Sequence, residues 1–291
     1  MTAPMIGCGQ ITWHDGDEDA ALADIAATGY AGAPPKIRPD VTPQTVQQLF
    51  AKHQLAPAPP YFGGSFWDPA QEEALVQRAA ELGQLTHDIG CTELYVAAGG
   101  GGYQAPTGAA RSAVAGHVTA QDMMSDEEFS QFSKALTAFG RTTLEYGVRS
   151  CFHNHVGTVI ETRAELDRLM ETTDDQAVFL GIDTGHLAWG GGDVVETIRD
   201  YRGRVLTMHL KDIVESVRAT GAGEGWDYNT FTERGIFTEL GQGSVDFAGI
   251  KSILDEDGFD GWLIVETDVT QQPTAYESAR ISREYLTGLG W

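Results

Sequence analysis

The sequence predicts a single-domain α/β protein, a (β/α)₈ or TIM barrel that extends over residues 1–291. Eight short apolar segments alternate with eight segments of helical periodicity, which is the element order of this barrel. The competing fold, a doubly wound open sheet, usually has a Gly-x-Gly-x-x-Gly turn after its first strand. The segment that begins at Gly7 reads GCGQIT, with Thr12 at the sixth position, so the barrel is the better prediction.

The predicted strands are short runs rich in Val, Ile, Leu and aromatic residues. The second and third are diluted by Pro and Ala. In chain order the strands lie near 5–12, 29–34, 54–61, 93–98, 147–154, 178–183, 205–210 and 261–266. The helical patterns lie at 17–28, 43–53, 68–89, 126–146, 162–171, 193–201, 246–256 and 273–287. No low-complexity linker divides this alternation, so one domain is expected.

Two of the predicted helices carry clear start signals. Ser125 with Glu128, and Thr162 with Glu165, match the Ser/Thr-x-x-Glu capping box. Within 126–146, apolar residues at three- and four-residue spacing form one face, which predicts packing against the barrel wall. These residues are Phe129, Phe132, Leu136 and Phe139.

Composition and charge exclude several classes of partner. The chain has 42 Asp and Glu residues against 19 Lys and Arg, and its net charge of −23 repels nucleic acid and anionic membranes. No apolar run of about 18 residues and no secretory signal pattern is present. The three cysteines, Cys8, Cys91 and Cys151, are far apart and odd in number, which favours reduced thiols. We therefore expect a cytoplasmic protein without nucleic-acid or membrane partners.

Four consecutive predicted strands end in side chains that bind metals or transfer protons. The carboxyl ends of the strands form the active site of such a barrel, so these residues are candidates for one site. They are His153, Asn154 and His155 after the fifth strand, Asp183 and His186 after the sixth, His209 and Lys211 after the seventh, and Glu266 and Asp268 after the eighth.

A mixed set of imidazoles and carboxylates suits a divalent metal such as Mn²⁺, Fe²⁺, Co²⁺ or Zn²⁺. The predicted ligands are Asp183, His209 and Glu266, with His153 as the fourth. A single histidine at a strand end is more often structural than a ligand. Four neighbouring strands that all end in this way favour a metal site.

Two glycine-rich segments follow predicted strands. In DTGHLAWGGGD, a sharp turn at Gly185 is expected to bring His186 over the barrel mouth, and Asp193 is expected to be the N-cap of the next helix. In AAGGGGYQAPTG, the run Gly99–Gly102 lacks the spacing of a dinucleotide-binding turn. We expect this segment to form a mobile loop over the site.

Several motifs together resemble one family. GHLAWGGGD, MHLKD, GQGSVDF (Gly241 to Phe247) and GFDGWLIVE are similar to the xylose-isomerase-like barrel superfamily, and within it to the inosose dehydratases, lyases that act on 2-keto-myo-inositol. The resemblance implies one divalent metal, with Mn²⁺ preferred and Co²⁺, Fe²⁺, Mg²⁺ or Zn²⁺ as alternatives. It supports Asp183, His209 and Glu266 as ligands.

The resemblance also implies a reaction, the loss of water from a small-molecule keto-cyclitol or keto-sugar by α-proton abstraction and β-elimination. Glu266, His155 or His186 is the candidate base for the α-proton. Lys211 or His186 is the candidate donor to the leaving hydroxyl. A homo-oligomer is possible, because aromatic loops at the barrel mouth would suit a dimer.

Four residues are predicted to bind the substrate: Trp13, Trp67, Asn154 and Glu161. The aromatic residues would cover the C–H faces of a ring, but they would be equally consistent with core or lid packing. For Glu161 the alternative, a first-turn glutamate beside a capping box, is slightly favoured. Other aromatic candidates for the pocket wall are Tyr61, Phe62 and Phe66.

Other functions remain open on the same residues. A ketose isomerase or epimerase would use the same metal but requires paired glutamates, whereas the fifth strand ends in His153. Elimination or hydration of a 3-keto sugar or 3-keto glycoside shares the chemistry. It is favoured by the second strand, where GYAGAPPK departs from the family pattern of a glutamate after a glycine. A non-catalytic sugar-binding barrel would bind ligand without metal-dependent turnover. The fold also includes apurinic endonucleases, but DNA binding requires basic patches that this acidic chain lacks.

Overall fold

The strands of the protein form a parallel sheet that curls into a barrel, and a small antiparallel hairpin lies beside it. These elements come from a computed structural model that describes residues 3–14, 16–99 and 102–291. The strands are Met5–Cys8 (β1), Gly32–Ala33 (β2), Ala56–Pro57 (β3), Tyr61–Gly64 (β4), Glu93–Ala98 (β5), Arg149–His153 (β6), Val178–Asp183 (β7), Val205–Leu210 (β8), Asp212–Ile213 (β9), Phe237–Thr238 (β10) and Trp262–Val265 (β11).

The sheet has nine strands in the order β3-β2-β1-β11-β8-β7-β6-β5-β4, with neighbours parallel. Its two edge strands, β3 and β4, belong to one chain segment that is interrupted only at residues 58–60. Within this break, the Ala58 amide donates to the Ala33 carbonyl and the Pro60 carbonyl accepts the Tyr95 amide, so the segment contacts both neighbouring strands. The third predicted strand is thus two short pieces, and the chain itself closes the barrel. The predicted fold class is confirmed.

The helices lie outside the barrel or over its carboxyl end. They are Glu18–Ala27 (α1), Pro43–Lys52 (α2), Glu72–Asp88 (α3), Asp126–Leu144 (α4), Arg163–Thr172 (α5), Thr184–Trp189 (α6), Val194–Asp200 (α7), Glu215–Glu224 (α8), Tyr228–Glu233 (α9), Phe247–Asp257 (α10) and Ala275–Leu289 (α11). Short 3₁₀ helices occupy Ile11–Trp13, Pro69–Gln71 and Arg111–Val114. The eight predicted helices correspond to α1–α5, α7, α10 and α11, whereas α6, α8 and α9 were not predicted.

The start signals act as the sequence indicates. Ser125 and Glu128 cap each other's backbone N–H at the start of α4, and Thr162 and Glu165 do the same for α5. The four apolar residues of the predicted α4 face are all buried in the main core. Burial of such side chains stabilises the fold by about 1.5–3 kcal/mol each, so this face attaches the helix to the barrel wall.

The three cysteines are buried and free, in agreement with reduced thiols. Burial raises the pKa of the Cys91 thiol to about 12, which keeps it protonated and unreactive. In the described part of the chain, no helix combines the length and apolar character needed to cross a bilayer. Gly100 and Gly101, the centre of the predicted mobile loop, lie outside the described residues, so its mobility stays a prediction.

Between β8 and α10 the chain makes an excursion that the sequence patterns did not predict. It contains the antiparallel pair β9 and β10, together with α8 and α9. The buried Asp212 carboxylate organises its return, because it accepts the backbone N–H groups of Ile213, Gly241, Gly243 and Val245. The excursion has its own apolar cluster with Trp189 at the carboxyl end of the barrel.

Candidate metal centre and active site

Parallel pairing brings the ends of β6, β7, β8 and β11 together at one end of the barrel. Asp183 is the direct neighbour of His209 in the ladder, and Ile264, two residues before Glu266, pairs with His209 on its other side. One ligand atom each of His153, Asp183 and His209 lies within 4.8 Å of the others, and all three residues are buried. The structure therefore brings together three of the four predicted metal ligands.

The fourth, Glu266, adjoins this group through its carboxylate. Its Oε2 lies 3.0 Å from Nδ1 of His209, and His153 Nε2 and His209 Nδ1 each lie 3.9 Å from Asp183 Oδ2. The 3.0 Å approach does not have hydrogen-bond geometry, since both ring nitrogens of His209 lack a hydrogen-bond partner among the described residues. His153, Asp183 and His209 thus form one close group at the ends of three neighbouring strands, and Glu266 joins it from the fourth through His209.

The donor set fits a divalent cation. Besides the His209 ring nitrogens, His153 Nδ1 is buried without a hydrogen bond to any described residue, whereas Asp183 Oδ2 lacks a hydrogen bond but is ion-paired with Lys211. Unsatisfied buried polar atoms each cost about 1–3 kcal/mol, so such a group calls for a ligand. Burial, followed by the neighbouring His209, lowers the pKa of His153 well below its usual range. This imidazole is therefore neutral and free to donate a lone pair.

Lys211 lies beside the predicted ligands, fully buried. Its Nζ is 2.7 Å from Asp268 Oδ1, 3.0 Å from Asp183 Oδ2 and 3.5 Å from Glu266 Oε2. Burial opposes the charge of this ammonium, but the three carboxylates outweigh it and raise the pKa of Lys211 well above its usual value. Lys211 is therefore protonated in the free protein, and the site holds an ammonium cation next to its candidate metal ligands.

His155, His186 and Asp268 form a second group on the other side of Lys211. The His155 and His186 rings stack with centroids 3.7 Å apart, and His186 Nε2 is 3.2 Å from Lys211 Nζ. His155 Nδ1 lies 2.7 Å from the carbonyl oxygen of Val156, which can only accept, so Nδ1 carries the proton. The other nitrogen, Nε2, is left with its lone pair.

The expected sharp turn after Asp183 is wrong, because a helix follows instead. Asp183 is the N-cap of α6 and accepts the amide of His186 at 2.7 Å, which places His186 one turn above the strand. Gly185 has no positive φ; it is required because a Cβ there would lie 2.6 Å from the Lys211 side chain. The predicted N-cap of α7 is confirmed, since Asp193 accepts the Glu196 amide.

Asn154 bonds to the backbone. Its side-chain oxygen accepts the amide of Asp183 at 3.0 Å, and its side-chain nitrogen donates to the Asp183 carbonyl at 3.2 Å. Both polar atoms of a buried amide are thereby used by one residue of the next strand. The structure gives Asn154 a role in positioning Asp183; the predicted contact with substrate remains untested.

Glu161 is buried in the loop between β6 and α5, and it is not among the described residues that line the site cavity. Its two oxygens each accept a backbone N–H at 2.7 Å, one from Gly116 and one from Gly157. Burial raises the pKa of Glu161 to about 7, although the two N–H donors and Arg111 oppose this shift. This carboxyl group therefore connects the loops that contain Gly116 and Gly157, and its predicted contact with substrate stays a prediction.

The raised pKa of Glu161 predicts a pH-dependent stability. The folded protein binds this proton more tightly than the unfolded chain, whose ordinary value is 4.5. The contribution of Glu161 to the free energy of unfolding is therefore complete below pH 4.5 and falls by about 3 kcal/mol as the pH rises through 7. Urea unfolding of wild type and Glu161→Gln at a series of pH values measures this. The free energy of unfolding of Glu161→Gln should rise relative to that of wild type as the pH increases. A difference between the two that does not change with pH would refute the raised pKa of Glu161.

A cavity of about 520 Å³ opens beside the candidate metal ligands. Tyr61 lines it, with its ring centroid 5.3 Å from that of His153, as expected for a pocket-wall aromatic. Trp13 and Trp67 are absent from the described lining residues. The Trp13 indole donates to Asp24 on α1, and Trp67 packs edge-on against Tyr103. The remaining lining residues are Gly9, Gln10, Ile11, His14, Pro34, Pro35, Lys36, Ile37, His153, His155, His209, Lys211, Glu266 and Asp268.

The sequence patterns did not reveal the contribution of β1 to the site. Gly9 follows β1, and a Cβ at this position would lie 2.6 Å from Cγ of Glu266. Glycine therefore leaves the space in which the Glu266 side chain lies. The signal in the sequence is the GCGQ segment at the end of β1, whose spacing excludes a dinucleotide-binding turn but does not reveal the contact with Glu266.

Gly9→Ala is expected to fold and to lose most activity, because the added methyl group displaces the Glu266 side chain from His209. Overpacking of this kind costs about 1–3 kcal/mol, which a shift in thermal midpoint would report. Gly223→Ala is the matched control, since Gly223 lies in α8 and a Cβ there would have nothing within 4 Å among the described residues. Equal turnover by the two variants would show that Glu266 is not held by Gly9.

Comparison with known proteins places the chain in a family. The family model described as xylose isomerase-like TIM barrel matches residues 20–286. An inosose dehydratase of Geobacillus kaustophilus (strain HTA426) is 30% identical over 297 residues, which cover 98% of this chain and 94% of that protein.

Two solved structures share the fold at low identity. One is described as a probable 3-DHS dehydratase from Bacillus anthracis, with 13% identity, a TM-score of 0.70 and coverage of 98% of this chain and 99% of that chain. The other is a D-allulose 3-epimerase from Methylomonas sp., with 14% identity, a TM-score of 0.71 and coverage of 100% and 97%. With its barrel topology and a family match over nearly its whole length, the chain belongs to the xylose isomerase-like TIM barrel family.

Proposed function

We propose that the protein is a metal-dependent lyase that removes water from a keto-cyclitol of the 2-keto-myo-inositol type. The observation that carries this proposal is the buried Lys211 ammonium, which lies between the His153–Asp183–His209 group, whose imidazoles have ring nitrogens without a hydrogen bond to any described residue, and a separate His155–His186–Asp268 group. The proposed metal ligands and the proposed proton-transfer groups thus lie side by side. The full-length similarity to an inosose dehydratase supports the substrate class.

His153, Asp183, His209 and Glu266 would hold the metal, for which Mn²⁺ is the first choice and Co²⁺, Fe²⁺, Mg²⁺ or Zn²⁺ the alternatives. A divalent ion bound there would polarise the ketone of the substrate and thereby acidify the neighbouring C–H bond. Asn154 would support this group by holding the Asp183 backbone, and Gly9 by leaving room for Glu266.

His155 is the base that the geometry favours. Its Nδ1 proton is committed to the Val156 carbonyl, so the Nε2 lone pair is available to remove the α-proton. His155 also lines the cavity, whereas His186 is fully buried behind it. As the C–H bond breaks, its electrons form the C=C bond and the β-hydroxyl departs. Glu266 remains the alternative base.

The leaving hydroxyl must gain a proton to depart as water. Lys211 is the candidate donor, because the residue lines the cavity and its ammonium is in contact with Asp268 and His186. Asp268 keeps the ammonium in place, and His186, whose Nε2 is 3.2 Å from Nζ, is the alternative donor. His155 gains one proton and Lys211 loses one, so release of the first and uptake of one by Lys211 restore the starting state. The β-elimination is then balanced: one C–H and one C–O bond break, and one C=C bond and one water molecule form.

Two alternatives share this site. Elimination or hydration of a 3-keto sugar would use the same groups on another ring. Pro34 and Pro35 favour this alternative, because they lie on the cavity wall in the segment that departs from the family pattern. A ketose isomerase or epimerase is favoured only by the fold similarity to the allulose epimerase. The site has His153 at the end of β6 where the paired-glutamate mechanism requires a carboxylate.

The deciding experiment is turnover in D₂O followed by NMR, with protein stripped by chelator and then supplied with Mn²⁺ or Co²⁺. Loss of water from 2-keto-myo-inositol only after metal is restored is the expected result. Elimination only from a 3-keto glucoside would retain the mechanism and replace the substrate. Deuterium exchange with inversion or isomerisation and no elimination would replace the dehydratase by an epimerase or isomerase.

A further inference from the structure

Gln10, directly after β1, carries a polar atom that neither the proposed metal site nor the proposed proton transfers use. The side chain is 5% exposed and lines the cavity. Its Nε2 donates to the carbonyl of Pro34 at 2.9 Å and to Glu18 Oε1 at 3.3 Å. The amide therefore joins the ends of β1 and β2 to the start of α1.

These two bonds determine which way the amide faces. Rotation by half a turn would bring its oxygen against the Pro34 carbonyl and the Glu18 carboxylate, both of which are acceptors only. The oxygen, Oε1, is thus left on the other side, where it is buried and accepts no hydrogen bond from any residue that the structure describes. A buried acceptor without a partner costs about 1–3 kcal/mol.

We propose that Gln10 Oε1 accepts a hydrogen bond from a ring hydroxyl of the substrate and so selects for that hydroxyl. The inference rests on the proposed function, because it places a hydroxylated ring in the cavity. Gln10 adjoins Gly9, against which Glu266 packs, and it lines the same cavity as His153, His209 and Glu266. Its role is substrate binding; it takes no part in the proton transfers.

The surroundings of Gln10 make it selective. The neighbouring wall is apolar and is formed by Ile11, Pro34, Pro35 and Ile37. None of these four side chains carries a hydrogen-bond acceptor. The Glu18 carboxylate behind the amide, which also accepts the Lys36 amide, polarises the Gln10 side chain and strengthens its oxygen as an acceptor. Sites built to bind a substrate hydroxyl discriminate strongly against analogues that lack it.

Binding of an unreactive ligand tests this without turnover. Isothermal titration calorimetry with Mn²⁺-loaded protein would measure the dissociation constants of myo-inositol and of its monodeoxy analogues for wild type and Gln10→Met. We expect Gln10→Met to bind myo-inositol about 10-fold more weakly. One deoxy analogue should lose about 10-fold against wild type and nothing further against Gln10→Met, since both changes remove the same hydrogen bond.

Gln47→Met is the matched control, because the exposed Gln47 side chain bonds the Asp88 carbonyl on the outside of the barrel. It should bind every analogue as wild type does. Equal losses for each deoxy analogue in wild type and Gln10→Met would overturn the inference, as would failure of wild type to bind any cyclitol. If wild type binds cyclitols with the expected pattern but dehydrates no ketone, the assignment of Gln10 stands and the proposed function fails.

Discussion

Asp183→Asn is expected to abolish turnover and to reduce metal affinity by at least ~100-fold. Substitution of residues that only hydrogen-bond to metal ligands already lowers metal affinity or activity by about 10–100-fold, and Asp183 is a proposed ligand itself. The substitution keeps the size of the side chain, and asparagine is as good an N-cap as aspartate, so α6 should persist. What disappears is the charge at Oδ2, which faces His153, His209 and Lys211. Metal content after gel filtration, with Mn²⁺ in the buffer, measures the loss directly.

Asp193→Asn is the matched control. Asp193 caps the very next helix, α7, through the Glu196 amide, but it is exposed and outside the site. The control should retain metal and activity. If Asp183→Asn bound metal with wild-type stoichiometry and affinity, the assignment of the metal to these four strand ends would be refuted, whatever happened to turnover.

Lys211→Met is expected to lower kcat by roughly 10²–10⁴, the range for loss of a proton donor. It also leaves three carboxylates close together without their cation, and breaking a buried ion pair costs about 3–5 kcal/mol. Urea unfolding of the metal-free protein would measure this loss. A second variant, which combines Lys211→Met with Asp268→Asn, should recover part of the stability and none of the activity, because it removes repulsion without restoring a donor.

Lys251→Met serves as the control for removal of a lysine. Lys251 pairs with the exposed Asp255 one helical turn away, and surface pairs of this kind contribute about 1 kcal/mol or less. The control should leave kcat unchanged. A Lys211→Met protein that retained kcat within a few-fold of wild type would limit Lys211 to a structural role and leave the proton donor to His186.

Much of the fold could be predicted because local signals and burial agree. The strongly apolar strands and the capped helices, such as α4 and α5, carry their own start signals and periodicity. The elements that were not predicted lack such signals. The helix α6 starts inside the site segment, and the short helices α8 and α9 depend on contacts of the excursion that Asp212 organises. Those contacts join residues about 30 positions apart, which no local pattern reveals.

The candidate site likewise has residues that the sequence could predict and residues that it could not. Residues at the ends of four apolar strands could be predicted to meet, because parallel strands bring their carboxyl ends to one rim. The two tryptophans could not be placed, since an aromatic residue near a strand end fits a pocket wall and the core equally well. Gly9 and Gln10 were missed because their importance lies in distant partners, Glu266 for the one and Pro34 and Glu18 for the other.

The closure of the barrel through one broken strand has a consequence for its dynamics. Near the closure, β2 and β3 have two residues each, and residues 58–60 interrupt the sheet. By contrast, β5, β7 and β8 have six residues each. Amide hydrogens at Ala56 and Ala58 should therefore exchange with solvent through local openings, and those of β7 and β8 only when the whole protein unfolds. The part of the barrel with short strands thus leads into the cavity wall at Pro34 and Pro35, and the part with long strands carries the proposed metal ligands His153, Asp183 and His209.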